Sequence, residues 1–301
     1  MSDHAVRGIA GDGAIRAFAI TCKGVVEEAR RLHRTSPTVT AVLGRVLAGT
    51  LMMGLDLKDP KDLITVVFRG DGPVKQILAT GRADGSVKGF ASVPGVDLPL
   101  KADGHLDVGG AVGHRGSLTV IRDFGFGEPY VGTVNLVNGE IAQDLTYYFA
   151  VSEQSPTSVG LGVLVDTDLT VKEAGGFMVQ LLPGASEKLI EGLEENLGKI
   201  PSVTEMLEGK ETPESILGKI LDGLDLEILD TKPVEFRCGC SRDSMDRALM
   251  VAGLEELEEM ISEEGKAELT CDFCGKKYNY TKEELESIAT LLGNTSKAGA
   301  D

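Results

Sequence analysis

Four of the five cysteines stand at Cys238, Cys240, Cys271 and Cys274, in the pattern Cys-x-Cys, thirty residues, Cys-x-x-Cys. No other feature constrains the fold as much. Four soft, negatively charged sulfurs gathered by two short loops suit a tetrahedral zinc ion with no open position. Cys271-Asp272-Phe273-Cys274-Gly275 has zinc-knuckle spacing, with glycine where a tight turn needs positive φ. Cys238-Gly239-Cys240 makes a tighter chelate, and a disulfide between such near neighbours is expected to be strained and easily reduced. Spacing alone leaves two readings open. One is a structural zinc site; the other is a zinc site that also senses oxidants through thiolates the metal keeps deprotonated.

The rest of the composition sets the compartment and the partners. No apolar run approaches the roughly 20 residues that span a bilayer. The first residues, with Asp3, His4, Arg7 and Asp12, lack the apolar stretch of a secretory signal. The expectation is a soluble cytoplasmic protein without a membrane partner, in a compartment where reducing thiol pools disfavour structural disulfides. Charge is unevenly placed: residues 1–182 carry 20 acidic against 17 basic side chains, and residues 183–301 carry 27 against 13. A zinc ribbon that binds nucleic acid is expected to be basic, so no nucleic-acid partner is expected.

Residues 1–182 read as an α+β core domain of mixed strands and helices. Residues 14–22 form a strand with Phe18, Ile20 and Cys22 on one face, which makes Cys22 a small buried hydrophobe. A short helix follows over Val25–Leu32. Ser36-Pro37 then supplies a cap and a first-turn proline for a long helix, on which Val39, Val42, Leu43, Val46, Leu47 and Met52 recur at helical spacing. Gly44, Ala48 and Gly49 imply close packing on that helix. Strand-like runs follow at Leu63–Phe68, Val74–Ala79, Val87–Val93, Ser117–Ile121, Tyr130–Leu136, Val159–Val165 and Phe177–Leu181, with a helix over Gly139–Val151. No regular βαβ period appears, which argues against a doubly wound sheet. There is no P-loop, no GxGxxG after a strand and no GxSxG elbow. Gly109–Gly113 reads as a turn. His4, His33, His105 and His114 lack metal spacing and read as surface or capping residues, so no catalytic residue is expected and the chain is not expected to be an enzyme.

Residues 183–232 read as an acidic helical linker. It has no aromatic side chain, and residues 186–230 hold 12 acidic against 4 basic residues. Ser186 and Thr212-Pro213-Glu214 are helix-start signals. Leu189, Ile190, Leu193 and Leu197, then Ile216, Leu217, Ile220 and Leu221, make amphipathic stripes. Such short helices are marginal alone and take their order from docking. They fit either an ordinary docked connector or a metastable segment that bares aliphatic surface when released.

Residues 233–292 frame the thiol site as a small C-terminal zinc domain. Two helices are expected between the motifs, near Arg242–Met250 and Gly253–Ile261, over a core of Phe236, Leu249, Leu254, Leu257, Phe273 and Tyr278. Thr281-Lys282-Glu283-Glu284 is a capping box for a last helix, and residues 293–301 are expected to be a disordered tail. Structural zinc contributes roughly 10–16 kcal/mol of apparent binding energy to small modules, against a net domain stability of about 5–15 kcal/mol. Removing the metal should therefore unfold this module.

Over essentially its whole length the chain resembles the heat-shock protein 33 family (HslO), bacterial redox-regulated holdase chaperones. The Cys238, Cys240, Cys271, Cys274 signature carries most of the resemblance, with the segments at residues 147–157 (YYFAVSEQSPT) and 175–183 (GGFMVQLLP). The stretch Arg242-Asp243-Ser244-Met245-Asp246-Arg247 departs from the family pattern by its acidity, which bears on how the following helix docks. The resemblance implies one zinc per chain in a reduced, inactive, cytoplasmic state. It implies that oxidation makes two disulfides, Cys238–Cys240 and Cys271–Cys274, releases zinc and unfolds the zinc domain and linker. The active form, commonly a homodimer, would then hold unfolded client proteins without ATP.

The main rival is a thiol–disulfide oxidoreductase using Cys271 and Cys274. Such enzymes usually place the motif at a helix start after a strand, often beside a tryptophan, and this chain has no tryptophan. A zinc ribbon for nucleic acid is the second rival, and the acidic charge opposes it.

Overall fold

A serine and a proline start the helix around which the first part of the chain is built. Ser36 Oγ accepts from the Val39 N–H, and Pro37 takes the first helical position, where a side-chain acceptor and a pre-set φ are both favourable. The computed structural model describes residues 3–298. The chain separates into two compact units, Met1–Arg237 and Cys238–Asp301.

The first unit runs β1 (His4–Ala10), β2 (Ile15–Thr21), α1 (Lys23–His33), α2 (Pro37–Gly54), β3 (Leu63–Gly70), β4 (Gln76–Gly81), β5 (Ser86–Ala91) and α3 (Val108–Val112). It continues with β6 (Gly116–Asp123), β7 (Tyr130–Asn135), α4 (Ala142–Val151), β8 (Thr157–Val165) and β9 (Val171–Leu181). Then come α5 (Glu187–Lys199), α6 (Val203–Glu208), α7 (Pro213–Ile220), β10 (Glu227–Pro233) and β11 (Glu235–Phe236). Two sheets result. One has the order β10-β1-β2-β9-β8 and is antiparallel throughout. The other has the order β11-β5-β4-β3-β6-β7 and is antiparallel except for the β11–β5 pair. This is the α+β class expected from the irregular alternation of elements.

Helix α2 packs on strands of both sheets, and 16 of its 18 residues are buried. By length and composition it could cross a membrane, yet 89 % of it is buried inside the fold. A helix apolar on every side is a core helix when protein surrounds it. At Gly44 an added Cβ would lie 2.8 Å from Val26 on α1 and 2.9 Å from Val163 on β8, so a larger residue would push those elements apart. The glycines at 109–113, expected as a turn, instead build α3 and its C-terminal cap, where Gly113 takes φ +97.

Residues 183–232, expected as a separate helical linker, stand inside the first unit. Ser186 and Thr212 cap α5 and α7 as expected, and Ser202 with Glu205 adds a capping box for α6, a helix not anticipated. Leu193, Met206, Ile216, Leu217, Ile220 and Leu221 bury themselves against Val6, Ile15, Ala17, Ala19, Phe177 and Val179 of the first sheet. The same segment ends as strand β10. Six of its seven residues are exposed, so its pairing with β1 leaves no alternation in the sequence.

The second unit holds α8 (Arg242–Ala252), α9 (Leu254–Glu263), the hairpin β12 (Lys266–Thr270) and β13 (Lys277–Thr281), and α10 (Lys282–Ala298). Its core is Leu249, Leu257, Tyr278, Tyr280, Leu285 and Ile288. Three expectations need correction. Phe236 belongs to the first unit, because pairing of Glu235–Phe236 with Ser86–Val87 captures it, and its ring stands 6.4 Å from that of His33. Leu254 is 39 % exposed, and Phe273 lies outside the core cluster, half-buried in the turn between β12 and β13. Helix α10 continues to Ala298 with no proline to stop it at Gly293; of the tail expected at 293–301, residues 299–301 lie outside the described residues.

Candidate metal centre

Two loops carry the thiols. Cys238 and Cys240 follow β11 directly, and Ser241 then ends the loop by capping α8 through its side chain, which accepts from the Ser244 N–H. Cys271 and Cys274 occupy the turn of the β12–β13 hairpin. There the Cys274 and Gly275 N–H groups donate to the Cys271 carbonyl, and Gly275 takes φ +71, the left-handed conformation the knuckle spacing demands. The motif therefore sits in a hairpin turn and not at the start of a helix, which removes the main structural argument for the oxidoreductase reading.

The four sulfurs lie within 4.8 Å of one another. Between motifs, Cys238 Sγ is 3.7 Å from Cys271 Sγ, and Cys240 Sγ is 3.5 Å from Cys274 Sγ. A tetrahedral ion with metal–sulfur bonds near 2.3 Å sets its sulfurs roughly 3.8 Å apart. The spacing matches, and the four could hold a metal ion. Among the described residues, this is the group of three or more histidine, cysteine or acidic side chains with that capacity.

The thiols are not equivalent. Burial pushes Cys238 well up, with hydrogen bonds among the thiols adding to it, and burial likewise raises Cys274. Burial also acts to raise Cys240, but the Tyr278 hydroxyl, donating to its sulfur at 3.2 Å, and the neighbouring thiols outweigh it and hold Cys240 at about 7. That same hydrogen bond, followed by burial, pushes the Tyr278 phenol up to about 12. One sulfur thus accepts a hydrogen bond from a hydroxyl outside the four thiols. The sequence places Tyr278 in the module core, which is right; its hydroxyl contact goes unread because it depends on the hairpin bringing strand β13 back beside Cys240.

The acidic stretch after the first motif docks α8. Asp246 accepts from the Tyr280 hydroxyl at 2.7 Å, and the Arg242 guanidinium lies 3.8 Å from the centre of the Tyr280 ring. Arg242 also donates to the Asn279 carbonyl at 2.8 Å and pairs with Glu284 at 2.8 Å. The Thr281 N–H donates to Glu284 Oε2 at 2.9 Å, the expected capping box. Cys22, by contrast, is fully buried with its thiol pushed well up by burial. The histidines stay apart: His4 bonds Glu214, His114 bonds the Asn138 carbonyl, and His105 lies beside Asp103.

Fold and site together define an α+β protein of two units whose smaller unit is built about a closed set of four thiols. A family model described as Hsp33 protein matches residues 3–281. The 33 kDa chaperonin of Clostridioides difficile is 49 % identical over 96 % of this chain and 99 % of its own. That of Agathobacter rectalis is also 49 % identical, over 96 % of this chain and 100 % of its own. The crystal structure of the 33 kDa chaperonin (heat shock protein 33 homolog) of Thermotoga maritima matches with a TM-score of 0.87 at 37 % identity, covering 98 % of this chain and 100 % of that one. The chain belongs to the Hsp33 family of chaperones.

Proposed function

We propose that the chain is a redox-regulated, ATP-independent holdase of the cytoplasm that keeps thermally unfolding and oxidatively damaged proteins from aggregating. In the reduced, inactive state Cys238, Cys240, Cys271 and Cys274 hold one zinc ion per chain. Zinc, when bound, supplies the charge that keeps four sulfurs ionised and ties two loops together. Oxidation takes two electrons from each dithiol. Cys238 closes on Cys240 and Cys271 on Cys274, while two equivalents of hydrogen peroxide each accept two electrons and two protons and leave as water. Sulfurs paired in this way no longer form a thiolate cage, and the ion is lost.

One observation carries this reading: four mutually adjacent sulfurs in a unit whose own apolar core is six buried side chains. So small a core needs a further cross-link to stay folded. Residues 183–237 run directly into Cys238, so loosening of the second unit frees the C-terminal anchor of α5, α6, α7 and β10. Their release bares aliphatic surface for unfolded clients, and the active form is a homodimer. Zinc content and suppression of light scattering by a heated client, taken on one sample before and after oxidant, should change together. Protection gained with zinc retained overturns the reading. Cys271→Ser and Cys274→Ser should abolish control by oxidant, Cys22→Ser should change little, and insulin reduction should show no turnover.

A further inference from the structure

We propose that strand β1 is a concealed docking edge for extended segments of client proteins, covered in the resting state by β10. This rests on the release of residues 183–237 proposed above and specifies what that release uncovers. β10 is the outer strand of its sheet and pairs antiparallel with β1, from His4 opposite Pro233 to Ile9 opposite Glu227. It is held there chiefly by its backbone: six of its seven residues are exposed, with Ile228 at 39 % and Leu229 at 46 %. A strand that buries so little apolar surface opens at the low end of the stability range.

The two strands differ as edges. β10 carries Asp230, Lys232 and Pro233, residue types that blunt an edge against further pairing. β1 reads His-Ala-Val-Arg-Gly-Ile-Ala, without proline, and pairs on both sides. Once β10 leaves, β1 presents a row of unpaired backbone groups. Beside that row lies the face of Val6, Ala10, Ala17 and Ala19, on strands that α7 now covers. At Gly8 an added Cβ would meet Leu226 at 2.9 Å and the Glu227 carbonyl at 3.0 Å, so the edge admits a close backbone.

An exposed edge beside a small-residue apolar face fits an extended chain with apolar residues at alternate positions. Main-chain hydrogen bonds would give it affinity without demanding a particular sequence. Unfolded proteins offer such segments, and a folded protein keeps them paired. A chaperone that tells unfolded from folded chains gains that discrimination from backbone geometry.

Amide hydrogen exchange tests this on the full-length protein, reduced, oxidised, and oxidised with a heat-unfolded client. Protection at the alternate amides of residues 5–9 that face β10 should be present at first, lost with that of residues 227–233 on activation, and regained when client is held, while those facing β2 stay protected throughout. If residues 227–233 open and the client stays soluble while the β10-facing amides remain unprotected, the edge is not the docking site. If the β10-facing amides regain protection without client as protein concentration rises, a second copy occupies the edge and the client assignment falls. If residues 227–233 stay protected while aggregation is suppressed, the release itself is wrong and this proposal goes with it. A second measurement uses a synthetic peptide of residues 226–234. Unmodified, it should compete with client and cause loss of protection against aggregation. N-methylated at the alternate amides that face β1 it should not compete, whereas methylation of the other set should leave competition intact. Equal effects of both methylated forms overturn pairing through the backbone.

Discussion

In Met1–Arg237 two sheets and a buried helix enclose a core that reaches from Ala5 to Val234, whereas Cys238–Asp301 closes six side chains about a hairpin and three helices. The first unit has a large apolar core, whereas the second has six buried side chains beside four adjacent thiols. A core of many contacts loses one and survives; a module hung on four ligands has a single point of failure. Under the proposed function, the contrast would let one chain keep a lasting scaffold beside a part that an oxidant dismantles.

The largest expected effect separates the units outright. Stripping the metal from the reduced protein with a chelator should unfold residues 238–298, since the binding energy of roughly 10–16 kcal/mol matches or exceeds a domain's net stability. Limited proteolysis and circular dichroism should show the first unit's core intact, and a protease-resistant second unit after chelation would erase the distinction. Next come matched truncations. Leu257→Ala and Leu47→Ala each remove a fully buried leucine and should each cost about 2–5 kcal/mol. Only the Leu257 variant should also lower zinc affinity in a chelator competition, because under the proposed function metal binding and folding are one equilibrium in that unit.

A finer prediction concerns Tyr278→Phe, which removes the donor to Cys240 and keeps the ring in the core. Zinc affinity should fall about tenfold, the usual size of an outer-shell effect, with the melting of the first unit unchanged. The smallest effect lies in α7. Burial acts to raise the Glu214 carboxyl, but backbone hydrogen bonding at the helix start, then Thr212 and His4, hold it below the ordinary range. A lowered carboxyl adds stability above its unfolded pKa, near 4.3, and loses it as pH falls through the folded value. Amide protection factors at residues 214–220, corrected for the intrinsic pH dependence of exchange, should therefore fall as pH drops from about 5 to about 3, and Glu214→Gln should flatten that dependence.

What the sequence discloses follows from how local each interaction is. Ser36 with Pro37, Ser186, Thr212 with Pro213, and Thr281 with Glu284 announce their helices because a cap and its target lie within four residues. The four cysteines are legible for the same reason, each pair being joined by one short loop. β1 and β10 are not, because their partners stand more than 200 residues apart and β10 shows no buried face. Phe236 escapes for a related reason. Two cysteines stand just after it, yet a two-residue parallel bridge to Ser86–Val87 decides its unit. Tyr278 reveals its place in a core, but its bond to sulfur exists only after both loops have closed.

The burial of α2 has a consequence for the birth of the chain. Its apolar surface is finally covered by strands β8 and β9, which end at Leu181. At about 5–20 residues per second, a ribosome needs several seconds or more between finishing the helix and supplying its last cover. During synthesis a protein of this chaperone family thus passes through a state as vulnerable as that of its clients.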